Sequence, residues 1–162
     1  MTAAWTFPDN KFLQNFTPLT YWLFSRVARV YGFTTTPPMP PDPSQVEARA
    51  SSVRRVLKYA RVEEASVIAI APEGQDHPGG VLGVPSSGVG RFIAQLAKYC
   101  QRITPIGVYE DDKSLCINFG HSFELDISPK LPADEFDVHI SQQVMIAIAC
   151  QLPESLRGKY KN

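Results

Sequence analysis

The sequence lacks an excess of charge of either sign, because 16 Lys and Arg residues balance 16 Asp and Glu residues. No overall electrostatic field therefore draws the chain toward nucleic acid or toward anionic lipid. This balance excludes the strongly basic classes of nucleic-acid-binding protein, but it does not exclude a local basic patch.

Cysteine is scarce, and long apolar runs are missing. Cys100, Cys116 and Cys150 form no Cys-x-x-Cys pair, so neither a zinc site nor a disulfide framework is indicated, and we expect no bound metal. The start of the chain lacks the basic and apolar segments of a secretory signal, and no run reaches the roughly 18 apolar residues that cross a bilayer. These absences predict a cytoplasmic protein in a reducing compartment.

The length of 162 residues predicts a single domain over 1–162, large enough to bury one core. Thr17 and Pro18 are typical of a helix start, and the following pattern predicts a helix over 17–33. Prolines make residues 34–43 an extended connector. A capping box from Ser44 to Glu47 begins a helix that continues to about residue 59, and residues 151–162 are predicted to form a polar tail.

Apolar runs that alternate with helical periodicity predict an α/β fold. The run over 67–71 is typical of a strand buried on both faces. A polar loop over 72–85, a helix over 87–99, a strand over 103–110 and its hairpin partner over 115–120 follow. The order strand, helix, strand predicts parallel strands at 67 and 103. A last helix over 134–150 places Val138, Met145, Ile148 and Ala149 inward, so we expect a mixed, partly parallel sheet with helices packed on it.

A polar loop leaves the predicted strand at Pro72-Glu73-Gly74, and this loop is the candidate site. Ligands of open α/β sheets bind outside the carboxyl ends of the strands, which is where Glu73 is predicted to lie. The helix that begins near Ser86-Ser87-Gly88 offers free amides to an anion. A solvated glutamate in a simple turn is the alternative reading.

This loop, the helix after it and the following strand resemble the third and fourth sequence blocks of the glycerolipid acyltransferase superfamily, which includes the lysophospholipid and 1-acylglycerol-3-phosphate acyltransferases. The resemblance covers about residues 66–127. In that family, the third block is Pro-Glu-Gly-Thr-Arg, which leads to a Lys-x-Gly helix. The fourth block is a short strand that contains a proline. Eight positions of this chain carry the resemblance, which implies that they bind substrate: Pro72, Glu73, Gly74, Gln75, Ser87, Gly88, Thr104 and Pro105.

The resemblance implies acyl transfer from a coenzyme A or acyl-carrier-protein thioester to a hydroxyl of a lysophospholipid or similar lipid acceptor. It implies that Glu73 and Gly74 bind the polar head of the acceptor. No cofactor is bound, because the thioester is a co-substrate. This chain has Gln75-Asp76 where the family has Thr-Arg, and a carboxylate there disfavours a phosphate head group.

The chain also departs from the family in where its histidines lie. The family's general base belongs to a His-x-x-x-x-Asp box upstream of Pro-Glu-Gly, yet residues 1–65 contain no histidine. The downstream match from His121 to Asp126 lies in a strand-like pattern, so its two side chains are predicted to point to opposite faces. His77 lies in the polar loop and could reach the site, while His139 is predicted to be on the surface of the last helix.

We therefore expect an acyltransferase-family domain of phospholipid biosynthesis that has little activity by itself, because the base is absent. A longer natural chain that supplies the missing box is one explanation for that absence. In that case residues 1–162 alone would leave apolar surface of the sheet uncovered, and the isolated chain would tend to self-associate. The alternative is a non-catalytic lipid- or metabolite-binding module of the same fold. The family's acceptors imply peripheral contact with the inner face of the membrane, with the helix over 21–33 as the candidate surface. No nucleic-acid partner is expected.

Overall fold

The computed structural model describes residues 46–63, 66–74, 77–127 and 130–161, together with several positions between 22 and 32. The chain divides into two compact units, Met1–Thr36 and Pro37–Asn162. In the first unit, the described positions between 22 and 30 are helical, and the Ser25 hydroxyl donates to the Trp22 carbonyl at 2.7 Å. The connector over 34–43, the Ser44 cap and Gln75 lie outside the described residues.

Three helices of the second unit lie close to where the sequence predicts them. Helix α1 spans Val46–Val62, α2 spans Val89–Ala97 and α3 spans Ala133–Ala149. On α2, Ile93, Ala94 and Leu96 are buried and form its inward face. The 3₁₀ turns Pro78–Gly80, Glu154–Leu156 and Gly158–Tyr160 complete the helical structure of the described residues.

The sheet of the described residues is an antiparallel hairpin, so the parallel pairing predicted within a mixed sheet is not found there. Strand β1 (Ile106–Asp111) pairs with β2 (Ser114–Phe119), and Val108 lies opposite Ile117. The turn residues Asp112 and Lys113 have φ values of 43° and 62°. Positive φ at both central residues suits a two-residue hairpin, because this turn matches the twist of the strands. The hairpin itself was predicted. The α/β composition of the described chain, with helices packed on the sheet, is confirmed.

The apolar run over 67–71 does not form a strand, which corrects the βαβ prediction. Val67 is 88% exposed, and none of these residues belongs to the ladder found among the described residues. A strand exists only when a neighbouring backbone accepts and donates its hydrogen bonds. An apolar run indicates that the chain can form a buried strand, but it does not identify the partner strand.

Helix α3 is the centre of the core. Ile140 and Met145 on this helix are fully buried. One cluster joins Met145 and Ala149 to Leu82, and a second joins Ile140 and Val144 to residues of α2. Val138, which was predicted to face inward, is exposed. Apolar and polar residues are spread around the helix, so periodicity alone did not fix which side faces the core.

The carboxyl-terminal segment packs against the core rather than extending as a polar tail. Leu152 and Tyr160 are buried in the cluster around Met145. The Leu82 amide donates to the Leu156 carbonyl at 2.8 Å, which attaches this segment to the chain just before α2. Gly158 has a φ of 57°, and a Cβ there would collide with the Leu82 carbonyl. Only glycine accommodates both constraints.

One face of the hairpin is apolar and exposed. Residues opposite each other in an antiparallel pair lie on the same face, and the apolar ones on this face are Ile106, Val108, Leu115, Ile117 and Phe119. The other face contains Tyr109, which packs on the core cluster, and Gly107, which abuts Gln151. The hairpin is therefore covered by the helical layer on one side.

Candidate functional site

Pro72-Glu73-Gly74 forms a β-turn that follows the exposed run over 67–71. The Gly74 amide donates to the Ala71 carbonyl at 3.2 Å, and Gly74 has a φ of 70°. Proline at the second position and glycine at the fourth are preferred residues of such a turn. The turn directs the Glu73 side chain back toward the loop that follows.

The Glu73 carboxylate closes this loop. Its Oε2 atom accepts the Gly83 amide at 2.7 Å and lies 3.5 Å from Nε2 of His77. The Glu73 side chain is 24% exposed and the His77 side chain 25% exposed, so neither stands alone in bulk water. No described residue donates to the second carboxylate oxygen, Oε1. One oxygen of Glu73 therefore anchors the loop, and the other has no donor among the described residues.

The imidazole of His77 packs directly on Gly83. A Cβ at position 83 would collide with the ring, so a larger residue there would force the His77 side chain to shift. Nε2 of His77 is buried and makes no hydrogen bond. A proton on Nε2 would face the Glu73 carboxylate, which leaves Nδ1 as the basic nitrogen of the neutral ring. A carboxylate beside an imidazole is an arrangement that can orient a general base.

Tyr160 borders the same loop from the carboxyl-terminal segment. Burial raises the pKa of the Tyr160 phenol above its ordinary value, and the negative charge of Glu73 raises it further. The phenol therefore stays neutral at physiological pH. Glu73, His77, Gly83 and Tyr160 are called the Glu73 cluster below.

The start of α2, predicted as an anion site, is occupied by a side chain of the protein itself. Asp137 of α3 accepts the Gly88 amide at 2.7 Å and the Arg91 amide at 2.8 Å. Gly88 has no side chain with which to cap the helix, so the Asp137 carboxylate satisfies the amide that a capping residue ordinarily binds. Asp137 is only 6% exposed. The amides that were expected to bind a ligand are therefore already used.

Gly90 explains how Asp137 reaches α2. A Cβ at position 90 would collide with the Asp137 carbonyl and with the Ser141 hydroxyl. The two helices therefore approach closely at this point. Of the pair in Gly88-x-Gly90, Gly88 adopts a φ of 92° and Gly90 permits the close approach.

The remaining predicted residues are not joined to the Glu73 cluster by any hydrogen bond or ion pair of the described chain. The Thr104 hydroxyl bonds that of Ser122 at 2.7 Å, Pro105 is buried, and Ser87 is exposed. His121 is exposed. It lies two residues beyond Phe119, the last residue of β2, where the chain has left the ladder, so the strand-like pattern does not determine its burial.

His139 is half-buried rather than on the open surface. The side-chain amide of Gln143 lies between His139 and the backbone of Asp126, 3.0 Å from Nε2 of His139. The Gln143 oxygen accepts the Asp126 amide at 2.9 Å. His139 therefore belongs to the contact between α3 and the segment after β2.

Two clefts lie elsewhere on the molecule. One of about 220 Å³ is lined by Gln101, Glu124 and Leu125, and one of about 450 Å³ lies beside Glu135, Val138 and His139. Neither cleft borders the Glu73 cluster. Across the described ranges, no three His, Cys, Asp or Glu side chains are arranged to hold a metal ion.

Sequence reasoning identified Glu73 but missed Gly83, Tyr160 and Asp137. Gly83 lies ten residues after Glu73, and the run of glycines after the turn was its only local signal. Tyr160 and Asp137 come from distant segments, and nothing near them in the sequence indicated that they face these loops.

Comparisons with known proteins identify no relative. No protein-family model, curated protein or solved structure matches the chain. Within the part of the chain described above, no helix is both long and apolar enough to cross a membrane.

Proposed function

We propose that this chain is an acyltransferase-family domain that binds the polar head of a lipid acceptor at the Glu73 cluster and has little acyl-transfer activity by itself. The acceptor carries a hydroxyl, and the donor is a coenzyme A or acyl-carrier-protein thioester. The domain works in the cytoplasm, with peripheral contact with the inner face of the membrane. The proposal depends on one observation: Glu73 binds the Gly83 amide through Oε2, while no described residue donates to Oε1.

The chemistry assigns Glu73 to binding and orientation. In acyl transfer the acceptor hydroxyl attacks the thioester carbonyl, the new ester bond forms, and the C–S bond breaks. The hydroxyl proton must leave, and it ends on the departing thiol. Oε1 of Glu73 can accept that hydroxyl as a hydrogen-bond donor and fix its direction. Removal of the proton is not assigned to Glu73, because its Oε2 atom already accepts the Gly83 amide.

His77 is the nearest nitrogen base, but its environment favours a positioning role. Nε2 is buried against Gly83 and faces Glu73, and neither of the two clefts described above borders the ring. Without a positioned base, the rate of acyl transfer falls on the order of 10²–10⁴-fold. We therefore expect binding without efficient turnover.

A second candidate function is a non-catalytic lipid- or metabolite-binding module of the same fold. One observation favours it specifically: Oε2 of Glu73 and the amides of Gly88 and Arg91 are all engaged within the protein. In this reading the loop closes for stability and the ligand is held without reaction. A neutral polar head suits either reading, because Asp137 at the start of α2 repels a phosphate.

The experiment compares the full chain with Glu73→Gln and with Glu110→Gln as a matched control on β1. Each variant receives a medium-chain acyl-coenzyme A and a panel of lysophospholipids, monoacylglycerols and long-chain alcohols. Thiol release reports turnover, and the shift of the unfolding midpoint reports binding. The glutamine variant preserves a hydrogen-bond acceptor at position 73 and removes only its charge.

The expected result is an acceptor-dependent rise of the midpoint that Glu73→Gln loses and Glu110→Gln retains, with no thiol release above background. Efficient, acceptor-dependent thiol release would refute the absence of a base and assign that role to His77 or His121. If no acceptor of the panel raises the midpoint of the wild-type chain, the binding of a lipid acceptor at the Glu73 cluster is wrong, and the acyltransferase proposal fails with it.

A further inference from the structure

The outward side of α1 carries four exposed cations: Arg54, Arg55, Lys58 and Arg61. Positions i, i+4 and i+7 place Arg54, Lys58 and Arg61 on one side of the helix, and Arg55 borders them. Ser52 and Ala60 lie on the opposite side and are buried. The four cations are called the basic face below.

No residue of the basic face forms an ion pair with another described residue. The ion pairs found there join His77 to Glu73 and Arg91 to Asp137, and none includes a residue of the basic face. Like charges three or four residues apart destabilise a helix. Glu47 lies on the same side, but seven residues before Arg54, which is about 10 Å along the axis. The cations are therefore concentrated in the last two turns of α1.

We propose that the basic face docks on the surface of an anionic phospholipid bilayer. Val62 is 67% exposed, and helical spacing directs its side chain between those of Lys58 and Arg55. Tyr59 lies beside Arg55 on the helix surface and is half exposed. Cations around an apolar side chain suit the headgroup region, where phosphates pair with the cations and the apolar tip reaches the acyl boundary. A nucleic-acid backbone would offer Val62 no apolar partner.

The strength of this docking follows from the number of cations. Each basic residue near an anionic bilayer raises the partition coefficient about fivefold. Four such residues raise it several hundred-fold over a neutral bilayer, and salt screens the attraction. The proposal depends on α1 alone, so it stands or falls independently of acyl transfer at Glu73.

The test is flotation of the full chain with vesicles of phosphatidylcholine, alone or with one-third phosphatidylserine. The variant Arg54→Gln with Lys58→Gln is compared with Lys98→Gln with Arg102→Gln, an exposed pair outside α1 that removes the same net charge. Flotation separates bound protein from aggregates. Unfolding midpoints establish that each variant is folded, and Arg55→Gln with Arg61→Gln provides a second α1 variant.

The expected result is binding to the anionic vesicles only, lowered about 30-fold by either α1 variant and far less by the control pair. Raising the salt from about 0.1 M to about 0.5 M should release the protein. Equal losses in the α1 and control pairs, or equal binding to both kinds of vesicle, would overturn the proposal. Binding of duplex DNA without binding of anionic vesicles would also overturn it.

Discussion

Replacing Asp137 by alanine should be the most informative single change to the fold. The carboxylate accepts two amides of α2, from Gly88 at 2.7 Å and from Arg91 at 2.8 Å, and it is nearly fully buried. A hydrogen bond to a charged group contributes about 1.5–3 kcal/mol, and a lost helix cap costs about 0.5–2 kcal/mol. The Arg91 side chain adds little, because it is half exposed and 3.9 Å away.

We therefore expect Asp137→Ala to lower the free energy of unfolding by about 3 kcal/mol, a large share of the 5–15 kcal/mol of an ordinary domain. Urea unfolding measures this value, and an unchanged slope shows that the folded state keeps its compactness. Asp134→Ala is the matched control, since Asp134 is exposed in the first turn of α3. Its loss should stay below about 1 kcal/mol.

A rescue experiment separates the cap from other roles of Asp137. Alanine at 137 leaves the two α2 amides free to bind a small anion. Acetate should therefore raise the unfolding midpoint of Asp137→Ala more than that of the wild-type chain, while chloride at equal ionic strength should not. If Asp137→Ala loses no more stability than Asp134→Ala, the tertiary cap is not a stabilising contact and the reasoning fails.

Three further predictions concern the Glu73 cluster and the hairpin. Gly83→Ala should lower the free energy of unfolding by about 1–3 kcal/mol, because the added Cβ collides with the ring of His77. Adding His77→Ala should restore part of that loss in a double-mutant cycle, and additive losses would contradict the contact. The raised pKa of Tyr160 means that the folded state holds the phenolic proton more tightly, so stability is complete below about pH 10 and falls as the pH rises. Tyr160→Phe should flatten that alkaline loss in unfolding measurements at stepped pH, and an unchanged profile would exclude Tyr160 as its cause. Phe119→Ser, on the exposed hairpin face, should change the free energy of unfolding by less than about 0.5 kcal/mol. It should also reduce self-association measured by light scattering, and an unchanged particle size would contradict this prediction.

The sequence predicted the elements that depend on local signals. The periodicity of α2 and the turn between β1 and β2 are written in neighbouring residues, and both lie where they were expected. The run that contains Val67 failed as a strand because strand formation depends on a partner that no local pattern identifies. Sequence reasoning also misplaced Val138, since apolar and polar residues are spread around α3 and no single apolar face stands out.

The candidate site was predicted in part for the same reason. Glu73 was recognisable because Pro-Glu-Gly forms a turn from adjacent residues. Asp137 was not recognisable, since several acidic residues precede the middle of α3 and nothing local marks the one that turns inward. Its inward direction depends on the close approach of α2 at Gly90. Contacts between distant segments decided which predicted ligand groups stayed available.

The central claim is that the Glu73 carboxylate holds the Gly83 amide, and nuclear magnetic resonance of that amide tests it most directly. The account predicts slow hydrogen exchange at Gly83 and a downfield amide proton shift, because a hydrogen bond to a carboxylate is short and strong. Glu73→Gln should reduce the downfield shift and leave the amide partly protected. A Gly83 amide that exchanges at the rate of an unfolded peptide, with no downfield shift, would contradict the account.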